Sequence, residues 1–442
     1  MAVVIPFKGI RYNTDKVGNL SSVTTPPYDI ISPEAQEEFY TADANNIIRI
    51  ELGKDFDGDN ESSNKYTRAG KFLSGWLDQK ILVREDSPAI YIYEQDFKVS
   101  EWETKTRRGI IALVKLADFS EGIVLPHEYT LSKAKQDRFN LMSTTDANIS
   151  QIFSLYNDED NVSKILDSFI IENKPDIEYV NSEGINERLW VIKDTKITSE
   201  ISRLFEDKKL FIADGHHRYE TALNYRNKKA SENPSHNGSE SYNYVMMTIV
   251  DMDDPGLVVF PTHRALSFEN FNSEAFLAFL NENFKIQKIE YSKSFDEESV
   301  PEQLTLSLSQ SGEFGKSFGY FDGLGDYFYI LTLKDISIME KLLPDKPEAY
   351  RTLDVAILHS SILEQYFNID AENMAEQKNL TYVKSPQTAF EGVKSRKYDC
   401  VFFLNPTKVS EMRDVSLANE KMPQKSTYFY PKVTTGLVIN KF

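Results

Sequence analysis

The segment Leu210-Phe211-Ile212-Ala213-Asp214-Gly215-His216-His217-Arg218-Tyr219-Glu220-Thr221-Ala222-Leu223 constrains the fold more than any other stretch of the chain. Its first four residues are the continuous apolar run of a buried strand, whereas Tyr219, Ala222, Leu223 and Arg226 recur at helical spacing. The polar cluster therefore occupies a strand-to-helix turn. Such a turn presents free backbone N–H groups and the positive end of a helix dipole, and a glycine lets the backbone approach a ligand closely. The expected guest is an anion, with Gly215, His217 and Arg218 binding phosphate and Asp214 and His216 taking part in the chemistry. Arg218 supplies a bidentate fork, the imidazoles donate to phosphoryl oxygens, and Asp214 either holds Mg²⁺ or orients a histidine. The plainer alternative is an Asp helix cap beside two surface histidines.

A second cluster reads Val124-Leu125-Pro126-His127-Glu128-Tyr129-Thr130, followed by a helix carrying Lys133, Lys135, Asp137 and Arg138. A proline-fixed turn that delivers His127 and Glu128 beside cations suits general-base chemistry near phosphate held by Lys135 and Arg138. Read alone, it is equally a solvated helix start. Of six histidines, His127, His216, His217, His263 and His359 lie in compact polar motifs, and only His236 lies in an ordinary loop. His263 and Arg264, after Pro261, are further phosphate candidates. Tyr28-Asp29 after two prolines reads as a structural turn. Asp354 and His359 share a polar helix face, and Lys425 and Lys432 flank an aromatic run that would close over an acidic substrate.

Across 442 residues the formal charge is -18, which argues against a nucleic-acid or anionic-membrane surface and favours a small-molecule partner. The single cysteine, Cys400, rules out an internal disulfide and a cysteine metal cage, and reads as a buried bystander suited to a reducing compartment. No leader or membrane-spanning run is expected, so the expected location is cytoplasmic. Polar loops are expected at Lys54–Tyr66, Asn157–Asn161 and Asn227–Asn243. Strand runs at Ala89–Tyr93 and Tyr244–Val250 alternate with helices at Ser273–Asn283 and Leu353–Tyr366, and a hairpin is signalled at Phe321–Tyr327. A β-rich run ends the chain at Tyr428–Asn440. The fold class is α+β, with a domain boundary after residue 265 that separates 1–265 from 266–442.

The order Pro-His-Glu, then strand-Asp-Gly-His-His-Arg-helix, resembles the ParB and sulfiredoxin superfamily, in particular its free serine kinases. That resemblance implies a mixed α/β core in residues 1–265 with insertions, and a second α+β region in 266–442 that closes the active site. It implies Glu128 as general base toward the substrate hydroxyl, and Asp214, His216, His217 and Arg218 at the nucleotide phosphates. Sulfiredoxin carries a cysteine in its version of the turn where this sequence has His216, which argues against sulfinate reduction. Over nearly the whole chain the sequence resembles the bacterial family called domain of unknown function 1015. The matching segments are Pro26-Pro27-Tyr28-Asp29-Ile30-Ile31, the two motifs above, Pro261-Thr262-His263-Arg264, Leu353–His359 and Lys425–Lys432.

The expected function is a phosphotransferase acting on a small hydroxyl metabolite, best free L-serine, or the reverse dephosphorylation of phosphoserine. The expected donors are ATP, ADP or pyrophosphate, with Mg²⁺. The alternatives are a nucleotide-binding regulator and a ParB-like nuclease, the latter disfavoured by charge.

Overall fold

In the computed structural model, which describes residues 1–159, 161–268, 271–291, 299–370, 373–374 and 378–442, runs rich in Ile, Val, Tyr and Phe pair into two large sheets. The first has nine strands. Its order runs Val124–Leu125, Leu210–Asp214, Ile152–Tyr156, Tyr244–Asp251, Thr104–Lys115, Ile90–Lys98, Asn186–Ile192, Ile177–Val180, with Val4–Ile5 against the end of Thr104–Lys115. Leu210–Asp214 runs parallel to Val124–Leu125 and antiparallel to Ile152–Tyr156, which itself runs parallel to Tyr244–Asp251.

Strand alternation gives this sheet two different faces. Ile90, Ile92, Ile110, Ala112, Val114, Ile152, Ile212, Met247 and Ile249 lie on one, packed with Tyr219, Ala222, Ile201 and Phe205 from the helices His216–Glu232 and Thr195–Leu204 and the residue after it. Fully burying each large side chain of this kind is worth roughly 1.5–3 kcal/mol. The opposite face carries Tyr93, Gln95, Arg107, Phe153 and Glu187, and the segment after Pro431 hydrogen-bonds onto it. Gln95 Nε2 donates to the Lys432 carbonyl at 3.0 Å, and Thr434 Oγ1 donates to Glu187 at 2.6 Å.

The second sheet is antiparallel, in the order Phe284–Glu290, Tyr327–Leu333, Ser317–Phe321, Cys400–Phe403, His263–Leu266, Leu380–Val383. Helices Val300–Gly312 and Pro386–Lys394 bury Leu304, Leu308, Ala389, Phe390 and Val393 with Phe321, Ile330 and Val401. Phe276 of the helix Ser273–Asn283 packs at tilted and edge-on angles among Tyr320, Tyr366, Phe367 and Phe402. Side-chain caps start several helices: Asn272 accepts from the Ala275 amide, and Ser385 accepts from Thr388 ahead of a proline first turn.

The chain is α+β. Two units group its residues: 1–126, 130–258 and 431–442 in the first, and 127–129 with 259–430 in the second. A single cut after residue 265 differs from this division in three places: residues 259–265 and 127–129 group with the second unit, and residues 431–442 group with the first. Cys400 is buried in a strand, and the hairpin at Phe321–Tyr327 joins paired strands. The loop expected from Asn227 instead continues the preceding helix to Glu232, since Lys228, Lys229 and Ala230 are good helix formers. Asp160, in the expected acidic loop, lies outside the described residues. The helix expected at Leu353–Tyr366 is interrupted by a π-helical turn at His359–Leu363. No helix among the described residues is long and apolar enough to cross a membrane.

Candidate functional site

The strand Leu210–Asp214 ends where the 17-residue helix His216–Glu232 begins, with Gly215 alone between them. Gly215 has φ 92° and ψ 29°, a left-handed conformation that side chains disfavour. A second constraint is the guanidinium of Arg218, which folds back over the turn. A Cβ on residue 215 would stand 2.9 Å from its Nε and 3.0 Å from its Cζ, so any other residue would strain the backbone and push the guanidinium aside.

Arg218 Nη2 donates to Asp214 Oδ2 at 2.6 Å, and Arg218 Nη1 donates to the Gln151 carbonyl. The other Asp214 oxygen accepts from Lys432 Nζ. Burial alone would raise the Asp214 pKa, but the charges of Lys432 and Arg218 overcome that and hold the carboxyl well below its usual range. Asp214 is thus a fixed anion inside a cationic pair. It is not a helix cap, since Gly215 occupies that position with no side-chain cap bond, and His216 is 2% exposed rather than a surface group. His217 is half-buried, and its Nε2 accepts from the Leu131 amide at 2.9 Å, which joins this turn to the start of the helix Ser132–Thr145.

The donor set does not fit a resident Mg²⁺. Such a site needs open carboxylate oxygens, whereas both oxygens of Asp214 are engaged by cations. No group of three His, Cys, Asp or Glu side chains among the described residues is placed to hold a metal.

The cations expected at phosphate have acidic partners within the chain. Lys135 Nζ donates to Glu220 Oε2 at 2.7 Å. Arg138 is buried, donating to Asp137 at 2.6 Å and to the Glu51 carbonyl at 2.8 Å, with its Cζ 3.9 Å from the Tyr28 ring centre. Arg138, Arg218, Glu51 and Ser150 line a small pocket of about 30 Å³, enough to admit water but not a phosphate donor. Both residues therefore brace the fold by internal ion pairing, a role their sequence neighbourhood did not disclose.

The remaining candidates belong to the second unit. His127 is buried, its Nε2 lies 3.0 Å from Thr427 Oγ1, and its carbonyl accepts from Met422 at 2.8 Å. Glu128 is half-buried and close enough to Tyr382 to help burial raise that phenol's pKa, against the opposing pull of Arg264. Arg264 is 0% exposed and has no acidic partner among the described residues. Its Nε donates to His359 Nε2 at 3.3 Å, its Nη2 donates to the carbonyls of Gln424 and Lys425 at 3.2 Å, and it sits over the Tyr382 ring. Burial and then the neighbouring Arg264 push His263 down to about 3, and the same two causes push His359 well down. Both histidines are neutral near pH 7, and Arg264 is spent on carbonyls. This cluster fixes the turn at Lys425, whose φ is 55°, rather than presenting a fork to phosphate.

The family model described as "Protein of unknown function (DUF1015)" matches residues 4–356. No curated protein matches the chain. Solved structures similar to it include a free serine kinase in complex with AMP, at 13% identity and TM-score 0.34, covering 75% of this chain and 92% of that one. A conserved hypothetical protein from Pyrococcus furiosus has 13% identity and TM-score 0.32, with coverage of 73% and 92%. SbnI with C-terminal truncation from Staphylococcus aureus has 8% identity and TM-score 0.32, with coverage of 73% and 85%. At these identities and scores the likeness carries no argument about chemistry.

Proposed function

We propose that this chain, which belongs to the DUF1015 family, is a phosphotransferase that moves a phosphoryl group between a nucleotide or pyrophosphate and a small hydroxyl metabolite, best free L-serine. The supporting observation is the Asp214–Arg218 turn. A positive-φ glycine opens a 17-residue helix there, with the side chains of Lys432 and Arg218 gathered at the Asp214 carboxylate. Helix N-termini with added cations favour phosphoryl groups by dipole and amide donation.

In this reading the amides following Gly215 and the Lys432 ammonium hold the donor phosphates, while Glu128 takes the proton from the attacking hydroxyl. The hydroxyl oxygen forms a bond to the donor's terminal phosphorus. The bond from that phosphorus to its bridging oxygen breaks, releasing ADP, AMP or phosphate according to the donor. Run backward, the same step dephosphorylates phosphoserine. Positioning and charge neutralisation supply most of what such a transfer asks of a protein.

Calorimetric titration of ATP, ADP and pyrophosphate into wild type and His217→Glu tests the phosphate assignment. At least one donor should bind wild type. The variant should bind it about tenfold or more weakly, because a carboxylate in the first helical turn repels phosphate. Equal binding by both proteins would contradict the assignment.

A further inference from the structure

The polar face of the nine-stranded sheet carries buried polar groups that the proposed reaction does not use. Asp214 pairs with Phe153 on the neighbouring strand, and Phe153 pairs with Thr248 on the next, so the three lie side by side across adjacent strands. The guanidinium of Arg107, from the Thr104–Lys115 strand, lies 4.7 Å from the centre of the Phe153 ring. Gln151 immediately precedes the strand Ile152–Tyr156 and stands two residues before Phe153.

All three polar members are almost sealed from solvent: Arg107 is 2% exposed, Thr248 1% and Gln151 0%. Arg107 Nη2 donates to Gln95 Oε1, but Arg107 Nη1 has no hydrogen-bond partner among the described residues. The same holds for Thr248 Oγ1 and for both polar atoms of the Gln151 amide. Buried polar groups in folded proteins are partnered in the large majority of cases, and leaving one bare costs about 1–3 kcal/mol. Four such atoms among neighbouring residues make a concentrated exception.

The nearby carboxylates do not answer Arg107 directly. Asp214 is already held between Lys432 and Arg218. Glu187 accepts from Tyr93, Gln95, Asn181 and Thr434. Arg107 instead reaches an amide oxygen and the face of a phenyl ring, so a guanidinium is buried without an anion in contact. An oxyanion has the chemistry these donors call for: it would accept from the guanidinium, the Gln151 amide nitrogen and the Thr248 hydroxyl, while a hydroxyl or amine on the same molecule would donate to the Gln151 oxygen.

We propose that Arg107, Gln151 and Thr248 form a binding site for the oxyanion of a small polar metabolite, a carboxylate or a phosphate, on the polar face of the sheet beside Asp214. The site stands apart from the phosphoryl-transfer reading, because it requires binding and no reaction.

The test is titration of inorganic phosphate, pyrophosphate, acetate and L-serine into wild type, Arg107→Met, Gln151→Leu and Thr248→Val, with thermal unfolding of each protein without ligand. At least one probe should bind wild type, and whether it is a phosphate or a carboxylate identifies the oxyanion. Arg107→Met should weaken that binding by about tenfold to a hundredfold, as expected for loss of a charged hydrogen-bonding partner. Gln151→Leu and Thr248→Val should also weaken it, yet unfold no earlier than wild type, because each replaces a bare buried polar group by an apolar one of similar shape. Should Arg107→Met fail to fold, these two variants carry the test. Wild type that binds none of the probes would overturn the site. So would variants that lose thermal stability while keeping full affinity, since the groups would then serve the fold alone. Binding is read without turnover, so an inactive protein that binds a probe in this way keeps the site and loses only the transferase reading.

Discussion

Asp214→Ala should destabilise the first unit by about 3–5 kcal/mol, the range for stripping one partner from a buried charge pair. The substitution leaves the Arg218 and Lys432 side chains facing each other without the carboxylate that both contact. Chemical denaturation of wild type and variant at neutral pH measures the loss. An acid titration of stability supplies an independent sign. The folded-state pKa of Asp214 is depressed, so its contribution is complete above the unfolded value of about 3.9 and is lost as pH falls below it toward the folded value. Wild type should therefore lose its advantage over Asp214→Ala in acid. A gap that is small at neutral pH, or that does not narrow in acid, would show that the ion pairs contribute little.

Glu128→Gln should remove most turnover, by about 10² to 10⁴ in rate, while leaving donor affinity nearly intact. An amide keeps the shape of the carboxylate and cannot take the proton from an attacking hydroxyl. Donor binding is assigned to other residues, so calorimetry with the donor should give similar affinities for the two proteins. Full rate in the variant would remove Glu128 from the base role. A parallel fall in rate and donor affinity would make it a binding group.

The fold was legible where the deciding information is local. The apolar run Leu210–Ala213, the glycine and the helical spacing of Tyr219, Ala222 and Leu223 lie within one short segment, and the structure has a strand, a left-handed glycine and a helix there. The Phe321–Tyr327 hairpin is local in the same sense. Partnerships across long sequence separations were not legible. Lys432 reaches the Asp214 carboxylate across 218 residues, Arg138 that of Glu51 across 87, and Lys135 that of Glu220 across 85. Without those carboxylates in view, Lys135 and Arg138 read as free cations. Arg107, Gln151 and Thr248 carried no signal at all. Arg107 sits in a basic run that looks like an exposed strand end, and the bare polar row exists only once strand register sets Asp214, Phe153 and Thr248 side by side.

The proposed phosphoryl transfer is tested most directly by following ³¹P resonances while purified protein is incubated with L-serine, Mg²⁺ and, in separate samples, ATP, ADP or pyrophosphate. The expected result is a phosphoserine signal that grows as one donor is consumed in equal amount, and that is missing without protein. Donor that binds but remains intact beside unchanged serine would contradict the transferase and make the chain a nucleotide-binding regulator.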